Sequence, residues 1–200
     1  VLVVPCDHLF VDENILNQNI LSAKSMIKDN VAIFGIKPTE PHTGYGYLHI
    51  KDPTNGNPIT SFIEKPNISN AKRYFESGEY FWNSGIILAK KSLLLKKIYK
   101  YCPEIVESCS NAYQILQKDK HSKLIDINAM KNCPSISIDY GVLEKTEDIV
   151  FFQIETEWND MGSWDSYYKE LPKDSDNNYI SGNVINIGSK NSLIISEDKI

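Results

Sequence analysis

Val1-Leu2-Val3-Val4-Pro5-Cys6-Asp7-His8 runs four apolar residues, most of them β-branched, into a proline and then a carboxylate. Such a run predicts a buried parallel strand, covered on both faces. Pro5 has no N–H to give to a ladder, so the strand stops there. Asp7 then falls just beyond a strand's carboxyl end, the edge at which open α/β sheets bind ligands. The plainer alternative is an Asp serving as a turn residue or helix cap.

Working outward, Leu16, Ile20, Ala23 and Ile27 are spaced four, three and four apart, which predicts a helix over 14–29 with one apolar face, ended by Asn30. Val31 to Ile36 is a second buried strand. Strand, helix, strand in this order predicts a right-handed βαβ unit in a parallel sheet. Strands follow over 47–51 and 58–64, with an Asn55-Gly56 turn between them. A helix over 69–77 is capped by Ser69 and closed by Gly78. A strand over 81–89 is interrupted at Asn83-Ser84-Gly85, and helices over 90–118 are split by Pro103. Residues 136–145 mix strand and helix-start signals, 149–154 is a strand, and 165–171 a short helix. Residues 174–178 read as a link to short strands over 182–187 and 192–196, cut off at Ile200. The organisation expected is one domain over 1–173 followed by the start of a C-terminal β segment over 174–200. A chain that opens inside a strand without an initiator Met leads us to expect a natural N-terminus upstream.

The 200 residues are 42% hydrophobic and 24% charged with a net charge of −5, ordinary for a globular chain. No basic surface for a nucleic-acid backbone is indicated, and no apolar run reaches the length of a membrane span. Cys6, Cys102, Cys109 and Cys133 form no C-x-x-C pair and no metal spacing with histidine. They read as reduced thiols of a cytoplasmic protein, Cys6 as a small buried filler.

Several polar or glycine-bearing motifs sit where strands end. Thr43-Gly44-Tyr45-Gly46-Tyr47 lets backbone approach a ligand between tyrosines that can wall a sugar ring; two glycines also mark many ordinary turns. Phe62-Ile63-Glu64-Lys65-Pro66 sets a hydroxyl acceptor beside a cation able to hold a phosphate. The alternative is a solvated ion pair, and adjacent strand residues reach one ligand only if the strand bends there. Trp82-Asn83-Ser84-Gly85 places polar groups inside an apolar run, either for a bound sugar or as a β-bulge at Gly85. Asp139 and the Glu144-Lys145 pair repeat the acid-and-cation theme. Asp160 lies in Trp158-Asn159-Asp160-Met161-Gly162-Ser163-Trp164, whose plainer reading is an aromatic corner with a capping Asp. Asp7 and Asp160 with phosphate oxygens make an all-oxygen site suited to Mg²⁺.

Taken together and in order, these motifs, with Pro41-His42 and Ile138-Asp139-Tyr140-Gly141-Val142-Leu143-Glu144-Lys145, resemble the mannose-1-phosphate guanylyltransferases, of the bacterial type often fused to a mannose-6-phosphate isomerase domain. The resemblance implies a Rossmann-like α/β nucleotidyltransferase fold with a mixed, mainly parallel sheet. It implies GTP and mannose 1-phosphate as substrates, GDP-mannose and diphosphate as products, Mg²⁺ as cofactor, and leaves a homo-oligomer open. By the same resemblance Asp7 and Asp160 are the metal aspartates. Glu64, Asn83 and the Gly44-Tyr45-Gly46 backbone contact the sugar, Lys65 its phosphate, and Asp139 and Lys145 a further part of the site. Cys6 and Gly141 stand where the family has alanines, His42 where it has glutamate and Leu143 where it has methionine. The family's glycine-rich, arginine-containing nucleotide loop would lie upstream of Val1, so the chain is expected to be a partial and inactive piece. Two alternatives remain at this point: a related sugar-1-phosphate nucleotidyltransferase, or a sugar-phosphate-binding module without catalysis.

Overall fold

The structure, a computed structural model, describes residues 1–118, 125 and 127–197. In chain order its elements are β1 (Leu2–Val3), β2 (Leu9–Phe10), α1 (Glu13–Met26), β3 (Val31–Ile36), β4 (Tyr47–His49), β5 (Ser61–Ile63), α2 (Ile68–Ser77), β6 (Tyr80–Leu88), α3 (Lys91–Tyr101), α4 (Pro103–Lys118), α5 (Ile127–Met130), α6 (Ile138–Gly141), a 3₁₀ turn (Leu143–Lys145), β7 (Ile149–Ile154), β8 (Trp158–Asn159), α7 (Trp164–Glu170), β9 (Tyr179–Ser181) and β10 (Leu193–Ile195). They form two compact units: Val1–Pro5 with Asp12–Thr156, and Cys6–Val11 with the chain from Glu157 onward. The boundary expected at 173/174 falls inside the second unit.

The first unit is built on a six-stranded sheet in the order β5-β4-β6-β3-β7, with β1 also on β6. β3 and β7 are parallel, while β6 runs antiparallel to β1, β3 and β4, and β5 antiparallel to β4. Thus β1, β3, β4 and β7 share one direction and β5 and β6 oppose it, a mixed sheet with mainly parallel strand directions. The expected βαβ unit is corrected in one respect: its two strands are not neighbours. Leu88 of β6 is the register partner of both Leu2 and Ala32, so β6 lies between β1 and β3.

β3 is buried along its whole length, as an apolar run in the middle of a layered sheet should be. Its side chains and those of β7 interleave with β6; Phe81 and Phe151 have ring centroids 4.7 Å apart. β1 departs from expectation. Val1, Leu2, Val3 and Val4 are 37–52% exposed. Its two residues pair with β6 along one edge alone, so a strand that reads as buried on both faces is a short edge strand.

The polar interruption of β6 is a bulge. Ile33 pairs with Ile87 and Gly35 with Asn83, so Phe34 faces three residues, Ser84 to Ile86. Gly85 takes φ 73°, a value that favours glycine. Ser84 Oγ donates to Phe34 O at 2.7 Å and accepts from Ile86 N at 3.3 Å. Gly85 N donates to Asn83 Oδ1 at 3.1 Å.

Local capping differs in detail from the sequence reading. Asp12 caps α1, accepting from Asn14 N and Ile15 N, so the helix starts at Glu13 and not at Asn14, and it ends at Met26 with Ile27 as its C-cap. Asn67 caps α2 by accepting from Asn70 N, and Gly78 closes it in the left-handed region. Pro103 opens α4 as expected. The segment around Asn55-Gly56 is no hairpin tip. Gly56 N donates to Phe151 O and Phe151 N to Asn57 O, both at 2.8 Å, so this loop pairs with β7.

In the second unit β2 pairs antiparallel with β8, and β9 pairs parallel with β10. The strand expected over 182–187 is instead Tyr179–Ser181, because Gly182 turns the chain at φ 90°. Buried Asn178 holds that turn region together: its Nδ2 donates to Ser189 O at 2.8 Å, and Ser192 N donates to its Oδ1 at 3.1 Å. Residues 198–200, at the expected cut-off, lie outside the described residues. Cys6 is exposed and not a buried filler, because no strand or helix encloses its bend; Cys102 is the buried thiol. Among the described residues no helix is long and apolar enough to cross a membrane.

Gly35 sets the tightest packing of the sheet. A Cβ there would lie 2.4 Å from Phe151 Cε2 and 3.0 Å from Phe81 Cβ. Gly35→Ala is expected to destabilise the protein by about 1–3 kcal/mol through overpacking. A lower urea midpoint with an unchanged slope is the signature to look for.

Candidate functional site

Five of the expected site residues meet in the first unit. Gly46 ends its loop just before β4, and its carbonyl accepts from Asn83 N at 2.8 Å. A Cβ on Gly46 would fall 2.6 Å from Glu64 Oε2 and 3.4 Å from Asn83 Cβ, so a side chain there would push the Glu64 carboxylate aside. Asn83 Nδ2 donates to Asp139 Oδ1 at 3.1 Å. With its Oδ1 already taking Gly85 N, the Asn83 amide is fixed in orientation and keeps one N–H and one lone pair for a further partner.

Glu64 and Lys65 follow β5, where neighbours on a regular strand would point to opposite faces. Lys65 adopts φ 42°, the left-handed region, at a cost of about 1 kcal/mol for a residue with a side chain. That reversal brings its ammonium back to Glu64, with Nζ 3.5 Å from Oε1. The Glu64 side chain is 10% exposed and that of Lys65 61% exposed. An ion pair with so exposed an ammonium adds little to folding. The strained backbone is therefore explained by where it aims the two groups.

The electrostatics agree. Burial pushes the Glu64 carboxyl above its ordinary value, the Asp139 charge adds to the rise, Lys65 offsets part of it, and Glu144 raises it further. Asp139 is also raised, first by burial, against the opposing pull of a backbone N–H, Asn83 and Lys65. Two poorly hydrated carboxyls beside one exposed cation need hydrogen-bond donors, which a polyhydroxylated ligand supplies.

Gly44 and Tyr45 lie in the loop leading to Gly46. Gly44 N donates to His42 Nδ1 at 3.2 Å, and Tyr45 stacks on His42 and meets Trp82 edge-on with centroids 5.0 Å apart. Lys145 ends the 3₁₀ turn, which packs against β5, the strand leading to Glu64, and against α6, which carries Asp139.

Asp7 and Asp160 belong to the second unit. The β2/β8 ladder pairs Leu9 with Asn159 and Phe10 with Trp158. Asp160 is the next residue along one strand and Asp7 lies two residues back along the other, so both carboxylates come off the same end of one ladder. Asp160 Oδ1 accepts from Gly162 N at 3.1 Å, and a Cβ on Gly162 would meet Oδ2 at 2.7 Å. Met161 between them takes φ 52°. Among the described residues no three His, Cys, Asp or Glu side chains gather as a metal cage. The donors the two aspartates offer are all oxygen, the type a hard divalent cation takes.

Three residues contribute in ways the sequence did not assign. Glu144 acts on Glu64 through its charge, Ser84 builds the bulge that presents Asn83, and His8 Nδ1 accepts from Trp158 Nε1 at 3.2 Å. The serine inside an apolar strand and the Glu144-Lys145 pair are visible in the sequence; the contact of His8 with Trp158 depends on tertiary placement.

Residues 1–177 match the family model described as nucleotidyl transferase. The xanthan biosynthesis protein XanB of Xanthomonas campestris pv. campestris (strain B100) is 38% identical over 191 residues, 95% of this chain and 41% of that protein. The mannose-1-phosphate guanylyltransferase of Escherichia coli (strain K12) is 34% identical over 203 residues, 98% of this chain and 42% of that protein. The chain thus spans less than half the length of these curated relatives. A solved structure from Thermus thermophilus, described as mannose-1-phosphate geranyltransferase, superposes with TM-score 0.72 at 23% identity, covering 98% of this chain and 59% of that one. At that identity the likeness is one of fold.

The raised Glu64 carboxyl has a consequence for stability. Between its unfolded value and its higher folded value the folded state holds the extra proton. Its contribution is therefore full below the unfolded value and lost as pH rises through the folded one. Glu64→Gln is expected to raise the urea midpoint at pH 7.5 relative to the parent, with the gap closing toward pH 4. A gap that widens on acidification contradicts this placement of charge.

Proposed function

The chain belongs to the nucleotidyl transferase family, and from that premise we propose that the protein transfers GMP from GTP to α-D-mannose 1-phosphate, giving GDP-mannose and diphosphate. The observation that carries the sugar-phosphate half of this reading is the left-handed backbone at Lys65. It aims a phosphate-binding cation and a hydroxyl acceptor to one side, next to an amide already locked by Asp139.

In this reaction a phosphate oxygen of the sugar phosphate attacks the α-phosphorus of the triphosphate. The bond from that phosphorus to the bridging oxygen breaks, and diphosphate leaves. A phosphate monoester has its second pKa near 6, so the nucleophile is already largely a dianion at neutral pH and needs no general base. The work left to the protein is holding two anions in line.

Each group in the first unit has a part in that. Glu64 accepts hydrogen bonds from sugar hydroxyls, which replace the water its burial removed. Asn83 offers its remaining N–H and lone pair to a hydroxyl, with Asp139 and Gly85 N fixing its orientation. Gly46 keeps the backbone close enough for the ring to rest against Glu64. Lys65 holds the sugar phosphate as a point charge. In the second unit Asp7 and Asp160 are the residues that would hold Mg²⁺, which when bound supplies neutralisation of phosphate charge.

A substrate panel on the intact protein tests this reading, with mannose 1-phosphate and GTP expected to exceed glucose 1-phosphate and other nucleotides in kcat/KM. Asp160→Asn is expected to abolish Mg²⁺-dependent turnover while thermal unfolding stays as in the parent; an active variant refutes the assignment. Lys65→Ala is expected to raise KM for mannose 1-phosphate by about 10- to 100-fold, the scale of one charge-assisted hydrogen bond. KM for GTP should move far less, and equal damage to both would count against the role.

A further inference from the structure

We propose that His42 is a positioning residue, whose ring fixes the Thr43–Gly46 backbone against the Glu64–Asn83 group. This rests on reading that group as the sugar site.

His42 is tied down twice by its own backbone. Its N–H donates to Tyr47 Oη at 3.0 Å, and its carbonyl accepts from the same hydroxyl at 2.9 Å. Tyr47 is fully buried on β4, so the start of the loop is bolted to the sheet. The His42 ring then holds the middle of the loop. Nδ1 accepts from Gly44 N at 3.2 Å, which makes Nδ1 the unprotonated nitrogen of the ring. The ring stacks on Tyr45 with centroids 3.9 Å apart at 25°, and meets Trp82 edge-on at 6.4 Å. Tyr45 in turn meets Trp82 at 5.0 Å, and Trp82 directly precedes Asn83.

The fit leaves no slack. A Cβ on Gly44 would lie 2.8 Å from His42 Cε1. One residue past Tyr45, Gly46 takes the position in which its Cα faces Glu64 Oε2 and its carbonyl receives Asn83 N. Between them the ring's acceptor and its face therefore restrain the two residues before Gly46, Gly44 and Tyr45. The described bonds of His42 run to Gly44 and Tyr47, so its action on the site goes through the loop.

The two functions of the ring separate cleanly by substitution. Asn carries Oδ1 as many bonds from Cα as Nδ1 stands in His, so His42→Asn keeps the acceptor and loses the stack. His42→Phe keeps the stack and loses the acceptor. His42→Ala loses both. In the intact protein His42→Ala is expected to raise KM for mannose 1-phosphate about 10-fold, from one hydrogen bond and one aromatic pair. The accompanying change in kcat and in KM for GTP should stay below about twofold, since the loop acts on sugar placement alone. His42→Asn should recover at least half of the loss on a logarithmic scale.

Amide hydrogen exchange without any substrate provides the second readout. Gly44 N–H should exchange at least about 10-fold faster in the Ala and Phe variants than in the parent and in the Asn variant, the factor that one lost hydrogen bond gives. Unchanged exchange in His42→Ala overturns the proposal, as does an Ala variant that loses kcat and GTP affinity as much as mannose 1-phosphate affinity. A parent protein that uses no sugar phosphate at all fails the reading of the site instead, and exchange at Gly44 then decides the positioning on its own.

Discussion

Ser84 Oγ is the interaction on which both the sheet and the site depend. It lies fully buried in the middle of β6, where the bulge leaves Phe34 O and Ile86 N out of register. One hydroxyl serves both, donating to the first and accepting from the second. Without it each of those groups would be left unpaired in the core, at about 1–3 kcal/mol apiece. The same bulge puts Gly85 N where it can seize the Asn83 carboxamide oxygen, which turns the other end of that amide toward Asp139. The irregularity of the central strand is thus the means by which a side chain is presented rigidly from a sheet.

The two units carry opposite chemistry. In the first, Glu64 and Asp139 are half-buried and stand near one exposed ammonium, an arrangement that asks for hydroxyl donors and one anionic group. In the second, Asp7 and Asp160 come off one ladder end with no third protein ligand for a metal among the described residues.

Much of this was written in the sequence where a single physical cause dominates. The unbroken apolar runs of β3 and β7, the Pro103 break between α3 and α4, and Gly78 as a left-handed helix stop all follow from local sterics and burial. Local sequence misleads where two causes compete. Val1 to Val4 has the composition of a central strand, yet the strand is two residues long and lies along one edge of β6. Asn67 outcompetes Ser69 as the cap of α2 because it stands one residue before the first helical φ/ψ pair. The site residues were legible as motifs, since acid, amide and cation stand where apolar runs break off. Their convergence was not. Nothing in the order of the letters announces that Lys65 is left-handed, that Asp139 meets Asn83 across 56 positions, or that His42 clasps the loop beyond it.

The left-handed residue at 65 and the ladder of β2 and β8 solve the same problem with different robustness. Glu64 and Lys65 are covalent neighbours, so their spacing survives any slip of strand register and any lengthening of the loops around them. Asp7 and Asp160 are brought to one ladder end by two pairings, Leu9 with Asn159 and Phe10 with Trp158. In that register Asp160 stands across from His8 and Asp7 one step beyond, and a slide by a single residue would change which residue each aspartate faces. The acid-and-cation pair is therefore an inheritable cassette, transplantable as a dipeptide with its turn, whereas the pair of aspartates exists only as long as two distant segments keep step.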